Sequence, residues 1–141
     1  RLVVSHEEAE DILQETFINV YRFAGSFKGE SKLSTWLYKI ATNECIRWLK
    51  RKKLNRGEIN AAVPVAGGHE GYIPVDEEEI LRKFQQAILL LPEKQRMVFN
   101  LRYYDELNYE EIGQILNSSV NALKTNYHYA TERIREYLLN N

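Results

Sequence analysis

The stretch 107–128 constrains this chain most, because its caps and spacings admit a short helix, a tight turn and a second helix. Asn108 can accept from the free amides of a first helical turn, and Glu111 three residues on can return the bond as in a capping box. Ile112, Ile115 and Leu116 then share one face until Asn117, Ser118 and Ser119 break the pattern and offer a fresh cap. Apolar residues resume at Val120, Leu123, Tyr127, Ala130, Ile134 and Leu138, a stripe along a second helix of about five turns. Away from it lie Asn121, Thr125 and His128, with Lys124 on their flank. A recognition helix presents such a short polar face, at such an end, to the major groove. Any helical hairpin has caps, a turn and a stripe, so this stretch alone leaves DNA binding and plain bundle packing equally open.

The first half carries two further helical patterns. Ser5 and Glu8 form a capping box, and Ala9, Ile12, Leu13, Phe17, Val20 and Ala24 carry a stripe as far as Gly25, predicting a helix over 6–24. Asp11, Gln14 and Glu15 fall on its other side, an ordinary wet face when taken alone. Residues 25–32 are loop by their glycines and serines, yet hold Phe27, Lys28 and Lys32. Ser34 can cap the next helix, with Leu37, Ile40, Ala41, Cys45, Trp48 and Leu49 on its inner side. Trp36, Tyr38, Lys39, Asn43 and Arg47 are left at its outer side. Aromatic, amide and cationic groups together make a platform on which unpaired bases stack while cations hold phosphate. The competing expectation is that Trp36 and Tyr38 pack against a neighbouring loop or helix.

Charge is unevenly spread. Residues 1–57 hold 11 of the 19 Lys+Arg but 7 of the 20 Asp+Glu, so the second half is acidic. Arg47, Lys50, Arg51, Lys52, Lys53 and Arg56 form a dense basic cluster that suits either a polyanion or a helix C-terminus. Residues 54–75, with Pro64, Pro74, Gly57, Gly67, Gly68 and Gly71, lack periodicity and are expected to be a linker between two domains, 1–53 and 76–141. Beyond them, acids at 76–79 open a helix striped by Ile80, Leu81, Phe84, Ile88 and Leu91, and Pro92 starts another over 92–104 with Met97, Val98, Leu101 and Phe99 inside. No strand-like alternation of useful length occurs, so the expected fold is all-α: two small helical domains joined by a flexible linker, the C-terminal one a four-helix domain. A single cysteine, Cys45, precludes an intrachain disulfide, and no apolar run approaches ~20 residues, which together point to the cytoplasm. The histidines at 6, 69 and 128 have no partner at ligand spacing, so neither metal nor cofactor is expected.

Taken together these segments resemble the sigma subunits of bacterial RNA polymerase, specifically the extracytoplasmic-function group. Residues 10–17 resemble that family's polymerase-binding helix, and 27–29 with 34–43 resemble its promoter-melting segment. Residues 91–96, 109–112 and 120–124 resemble its C-terminal helix-turn-helix domain. The resemblance implies that Asp11, Gln14 and Glu15 dock on the polymerase. It implies that Phe27, Lys32, Trp36, Tyr38, Lys39, Asn43, Arg47, Lys50 and Arg51 meet the minus-ten element. Asn121, Lys124, Thr125 and His128 would meet the minus-thirty-five element, with Arg96 or Arg102 on phosphate. Core RNA polymerase, promoter DNA and an anti-sigma factor are the implied partners.

Two departures stand out. Where family recognition helices are rich in arginine, this one has Asn126, Tyr129 and Thr131, so its affinity for DNA unaided is expected to be weak. The family also has a helix before Ser5 that this chain lacks, which predicts a truncated first domain with uncovered apolar surface. An enzyme is not expected, since neither a nucleophile–base set nor a glycine-rich phosphate loop is suggested by spacing. The alternatives are a stand-alone helix-turn-helix regulator, which leaves residues 27–53 unexplained, and a helical protein-interaction module.

Overall fold

Ser5 accepts a hydrogen bond from the Glu8 amide (3.4 Å) and opens α1, His6–Phe23, in the computed structural model, which describes residues 2–3, 5–56 and 77–141. A 3-10 turn at Ala24–Ser26 ends this helix, with the Ser26 hydroxyl donating to the Phe23 carbonyl (2.7 Å). The next helix, α2, runs over Leu33–Arg56. Its first turn closes on the Lys32 carbonyl rather than at a Ser34 cap (3.1 Å), and it continues through 54–56, which had been expected as linker. Residues 57–75 of that expected linker lie outside the described residues. Lys52, near the end of α2, reaches Glu8, near the start of α1, so the two helices run antiparallel.

The stripe expected on α1 is only partly inside. Ile12, Thr16 and Asn19 are its buried residues, while Leu13 is exposed, Phe17 is 64% exposed and the neighbouring Tyr21 89%. One partner helix covers one side of a cylinder, and among the described residues the other apolar edge of α1 has no cover. Thr16 tolerates burial because its hydroxyl donates to the Ile12 carbonyl within the same helix (2.7 Å).

Four helices follow: α3 (Glu77–Leu90), α4 (Glu93–Tyr103), α5 (Tyr109–Leu116) and α6 (Val120–Asn140). Pro92 is the N-cap of α4, one position before the expected first turn. Only the second half of the α3 stripe is inside: Ala87, Ile88 and Leu91 are buried, whereas Ile80 and Leu81 are exposed. The capping box of α5 is complete, with the Glu111 amide donating to Asn108 Oδ1 (2.8 Å) and the Asn108 amide to Glu111 Oε2 (3.1 Å). Asn117 ends α5 at φ 51°, a left-handed conformation that Asn adopts more readily than most residues. Two residues later Ser119 caps α6 through the Ala122 amide (3.3 Å).

Helix α6 joins two clusters. Ala130 and Ile134 pack with Ala87, Ile88, Leu91 and Phe99, while Leu123 packs with Val98, Leu101, Ile112 and Ile115. The fold is therefore all-α among the described residues, in two helical units, α1–α2 and α3–α6. These units touch: α2 packs against α1 on one side and α5 on the other.

Candidate nucleic-acid and polymerase interfaces

The antiparallel α1–α2 pair shapes two shallow cavities on either side of Glu44. One, of about 270 Å³, is bordered by Trp36, Lys39, Asn43 and Arg47 of α2 together with Asn19 and Phe23 of α1. Glu44 itself is buried and accepts from Asn19 Nδ2 (2.9 Å) and Arg47 Nη1 (2.6 Å). A buried carboxylate needs such donors, and these two fix the cavity wall. Phe27 of the preceding loop stacks at a tilt on Trp36, ring centroids 5.3 Å apart. Trp36, Lys39, Asn43 and Arg47, expected at or near the outer side of α2, thus border a cavity beside α1, with Lys39, Asn43 and Arg47 exposed. Spaced at i, i+3, i+7 and i+11, they are one face of the helix, and that spacing was the available signal. Asn19 and Glu44 were not foreseen. Glu44, the one acid between 33 and 56 and the neighbour of Cys45 on the inner stripe, was the clue to a buried partner.

Glu44→Ala would leave the Asn19 amide buried without its acceptor and Arg47 without its anchor. The expected cost is about 2 kcal/mol for the first unit, measured by denaturant unfolding; a change below about 0.5 kcal/mol would show that the wall does not depend on Glu44.

The second cavity brings Asp11, Gln14 and Glu15 together with Trp48 and Arg51. All three predicted docking residues are exposed. Arg51, expected among the minus-ten residues, lies with this group rather than with Arg47. Of the rest of the basic cluster, Lys50 is exposed, Lys52 pairs with Glu8 and sits over the Trp48 ring (4.5 Å), and Lys53 pairs with Glu93 (2.8 Å). Acids distant in sequence therefore pair with two cations of a cluster that is purely basic along the chain.

Tyr38 and Lys32 are placed apart from the first cavity. Tyr38 packs against the cluster of Val98, Leu101, Ile112, Ile115 and Leu123 in the second unit. Lys32 Nζ pairs with Glu111 Oε1 (3.1 Å). The Asn108 amide, and then Lys32, hold the Glu111 carboxyl below its ordinary range.

On α6, Asn121, Lys124, Thr125 and His128 are all exposed. The Thr125 hydroxyl donates to the Asn121 carbonyl (3.0 Å), keeping its own lone pairs available outward. Lys124 of α6 and Arg102 of α4 both lie over the Tyr109 ring, at 6.0 and 5.2 Å, so two cations from different helices converge beside this face. Arg96 stands apart from it: its Nη1 donates to the Leu89 carbonyl (3.2 Å), and desolvation lowers its pKa, opposed by Glu93. Among the described residues no group of three His, Cys, Asp or Glu could hold a metal ion, and no helix is long and apolar enough to cross a membrane.

Comparison with known proteins bears on both halves. Residues 1–54 match the family Sigma-70 region 2, and residues 81–134 match Sigma-70, region 4. The chain is 40% identical to the ECF RNA polymerase sigma factor SigW of Bacillus subtilis, over 98% of this chain and 79% of that protein. It is 30% identical to the RNA polymerase sigma-H factor of Pseudomonas aeruginosa, over 98% and 77%, and 34% identical to the ECF RNA polymerase sigma-E factor of Escherichia coli, over 90% and 72%. In fold it is similar to the sigma factor RpoE of Bartonella quintana, solved in complex with the anti-sigma factor NepR, with a TM-score of 0.75, 24% identity and coverage of 97% of this chain and 84% of that one.

Proposed function

This chain belongs to the sigma-70 family of RNA polymerase sigma factors, in its extracytoplasmic-function group, and we propose that its two helical units divide promoter recognition between them. It is a transcription-initiation subunit that directs RNA polymerase to promoters, not an enzyme. Residues 1–53, with the end of α2 as far as Arg56, are the proposed polymerase-binding and minus-ten unit, and 76–141 the proposed minus-thirty-five unit. The observation that carries this assignment is the cavity bordered by Trp36, Lys39, Asn43 and Arg47 beside the Phe27–Trp36 stack. It combines aromatic faces, an amide and two cations, the chemistry that holds an unstacked base and its phosphates. Opening a duplex costs a few kcal/mol per extruded base, and stacking at about 1–3 kcal/mol per base is of the size needed to offset it.

Asp11, Gln14 and Glu15 are the proposed contact with core polymerase, and Asn121, Lys124, Thr125 and His128 the proposed readers of the minus-thirty-five element, with Arg102 on phosphate. Arg96, tied to the Leu89 carbonyl, is better suited to bracing α4 than to reaching DNA. An anti-sigma factor is a further proposed partner, and the cytoplasm, where polymerase works, the proposed location. The test is to reconstitute the protein with core polymerase and probe a candidate promoter with permanganate. Thymine reactivity is expected only when both proteins are present, and Trp36→Ala is expected to reduce it by tenfold or more. A tight duplex footprint by the protein alone, with no association with polymerase, would overturn this function.

A further inference from the structure

We propose that Glu44 is a specificity-determining residue of the minus-ten cavity that acts through Arg47. It fixes that guanidinium and offsets its charge, so Arg47 reads a base edge and Lys39 is left to hold phosphate. This rests on the minus-ten reading above and gives different work to two cations which that reading groups together. Both border the cavity and both are exposed. Their surroundings differ: Lys39 forms no ion pair among the described residues, whereas Arg47 Nη1 donates to Glu44 Oε1 at 2.6 Å.

A carboxylate is the costly choice at position 44. Its side chain is 8% exposed, and the buried Asn19 amide that donates to the same Oε1 (2.9 Å) needs only an acceptor, which a neutral side chain supplies without desolvating a charge. The charge is matched to Arg47 instead. Stability does not account for that match, because the Arg47 side chain is 64% exposed and ion pairs open to water contribute little. What the pair supplies is direction. Asn19 stands on α1 and Arg47 on α2, so Glu44 is held from both helices, and the guanidinium is placed beside Asn43, one turn earlier on the same face. Glu44 also borders the second cavity, where Arg51 stands, yet its ion pair is made with Arg47. Rotamer freedom that an untethered arginine would give up on meeting DNA is already lost in the folded chain.

Holding phosphate and reading a base ask different things of a cation. The first depends on net charge and counterion release, which a neutral Glu44–Arg47 pair supplies poorly and an unpaired Lys39 supplies well. The second depends on placed N–H donors, and the planar fork beyond Nη1 keeps its own. Such a fork fits a base with two adjacent acceptors: guanine through O6 and N7, or an unpaired cytosine through O2 and N3. Adenine and thymine each set an N–H group between their acceptors and are refused.

The test uses the full chain reconstituted with core polymerase and promoter fragments premelted across the minus-ten element, each base there changed in turn and affinity read by anisotropy over a salt series. The parent is expected to favour guanine or cytosine about tenfold at one position, and Arg47→Ala to erase that preference. Glu44→Gln keeps an acceptor for Asn19 but removes the charge. It is expected to cut the preference to about threefold or less and to steepen the log–log salt slope by about one, as Arg47 becomes a phosphate contact. Glu44→Asp, which keeps the charge on a shorter arm, is expected to cut the preference without steepening the slope. Lys39→Ala is expected to flatten the slope by about one and to keep the preference. A preference that survives both Glu44 variants, or a loss of affinity that is equal for every base in both, overturns the assignment. So does a preference lost with Lys39 and kept without Arg47. Permanganate on the parent and on Trp36→Ala tests the minus-ten reading separately: where strand opening depends on Trp36 and the base preference ignores Glu44, this inference alone fails.

Discussion

Asp11→Arg combined with Gln14→Ala is expected to abolish stable binding to core RNA polymerase while leaving helix content unchanged. The fold tolerates the change because α1 is held to α2 through Ile12, Thr16 and Asn19, and Asp11 and Gln14 face solvent. Binding does not tolerate it, because Asp11 shares its cavity with Arg51, and a second cation there reverses the local field and repels any basic partner surface. Losing one side of an interfacial charge pair costs on the order of 2–5 kcal/mol, a thirtyfold weakening or more. Gel filtration with core polymerase reads the effect, and circular dichroism reads the fold. Retained co-elution would sink the docking assignment. Glu15→Gln, which removes one charge from the same rim without reversal, is expected to weaken association by less than tenfold.

How much of this was visible in the sequence depends on whether an element's partners were near it in the chain. Caps are local chemistry, so Ser5, Asn108 and Ser119 marked the starts of α1, α5 and α6 without help from the fold. The α6 stripe was also legible, because one side of that helix faces the core and the other faces water. Helix α2 was not, since α1 and α5 cover opposite sides of it and periodicity cannot sort two buried faces. Leu13 and Phe17 looked like core because hydrophobicity records what a side chain prefers, not whether a partner is present. The Lys32–Glu111 pair spans 79 positions, and no local rule reaches so far. The same limit hid the split of the candidate site, with Arg47 at one cavity and Arg51 at the other although they stand one helical turn apart.

Gly113→Val is expected to unfold the helix-turn-helix at temperatures where the parent is intact. Gly113 lies under the turn, where the Ser118 amide donates to its carbonyl (3.1 Å), and a Cβ added there would stand 2.8 Å from the Ser118 carbonyl oxygen and 3.7 Å from Leu123 Cδ1. The first neighbour is backbone and cannot rotate away. The second belongs to a side chain only 1% exposed, in the cluster with Ile112. A valine must therefore push α5 from α6, and its branched Cβ adds bulk toward both. Overpacking of this kind costs about 3 kcal/mol, which for a unit of this size lowers the melting temperature by roughly 12–24 °C. Gly113→Ala is expected to be destabilised as well, though less than the valine variant, because its Cβ meets the same Ser118 carbonyl oxygen at 2.8 Å and the higher helix propensity of alanine returns only about 1 kcal/mol. Thermal denaturation of the three proteins distinguishes the outcomes. Equal melting of the valine variant and the parent would show that the turn yields freely, and the rigid spacing of α5 and α6 on which presentation of Asn121, Thr125 and His128 depends would then have to come from elsewhere.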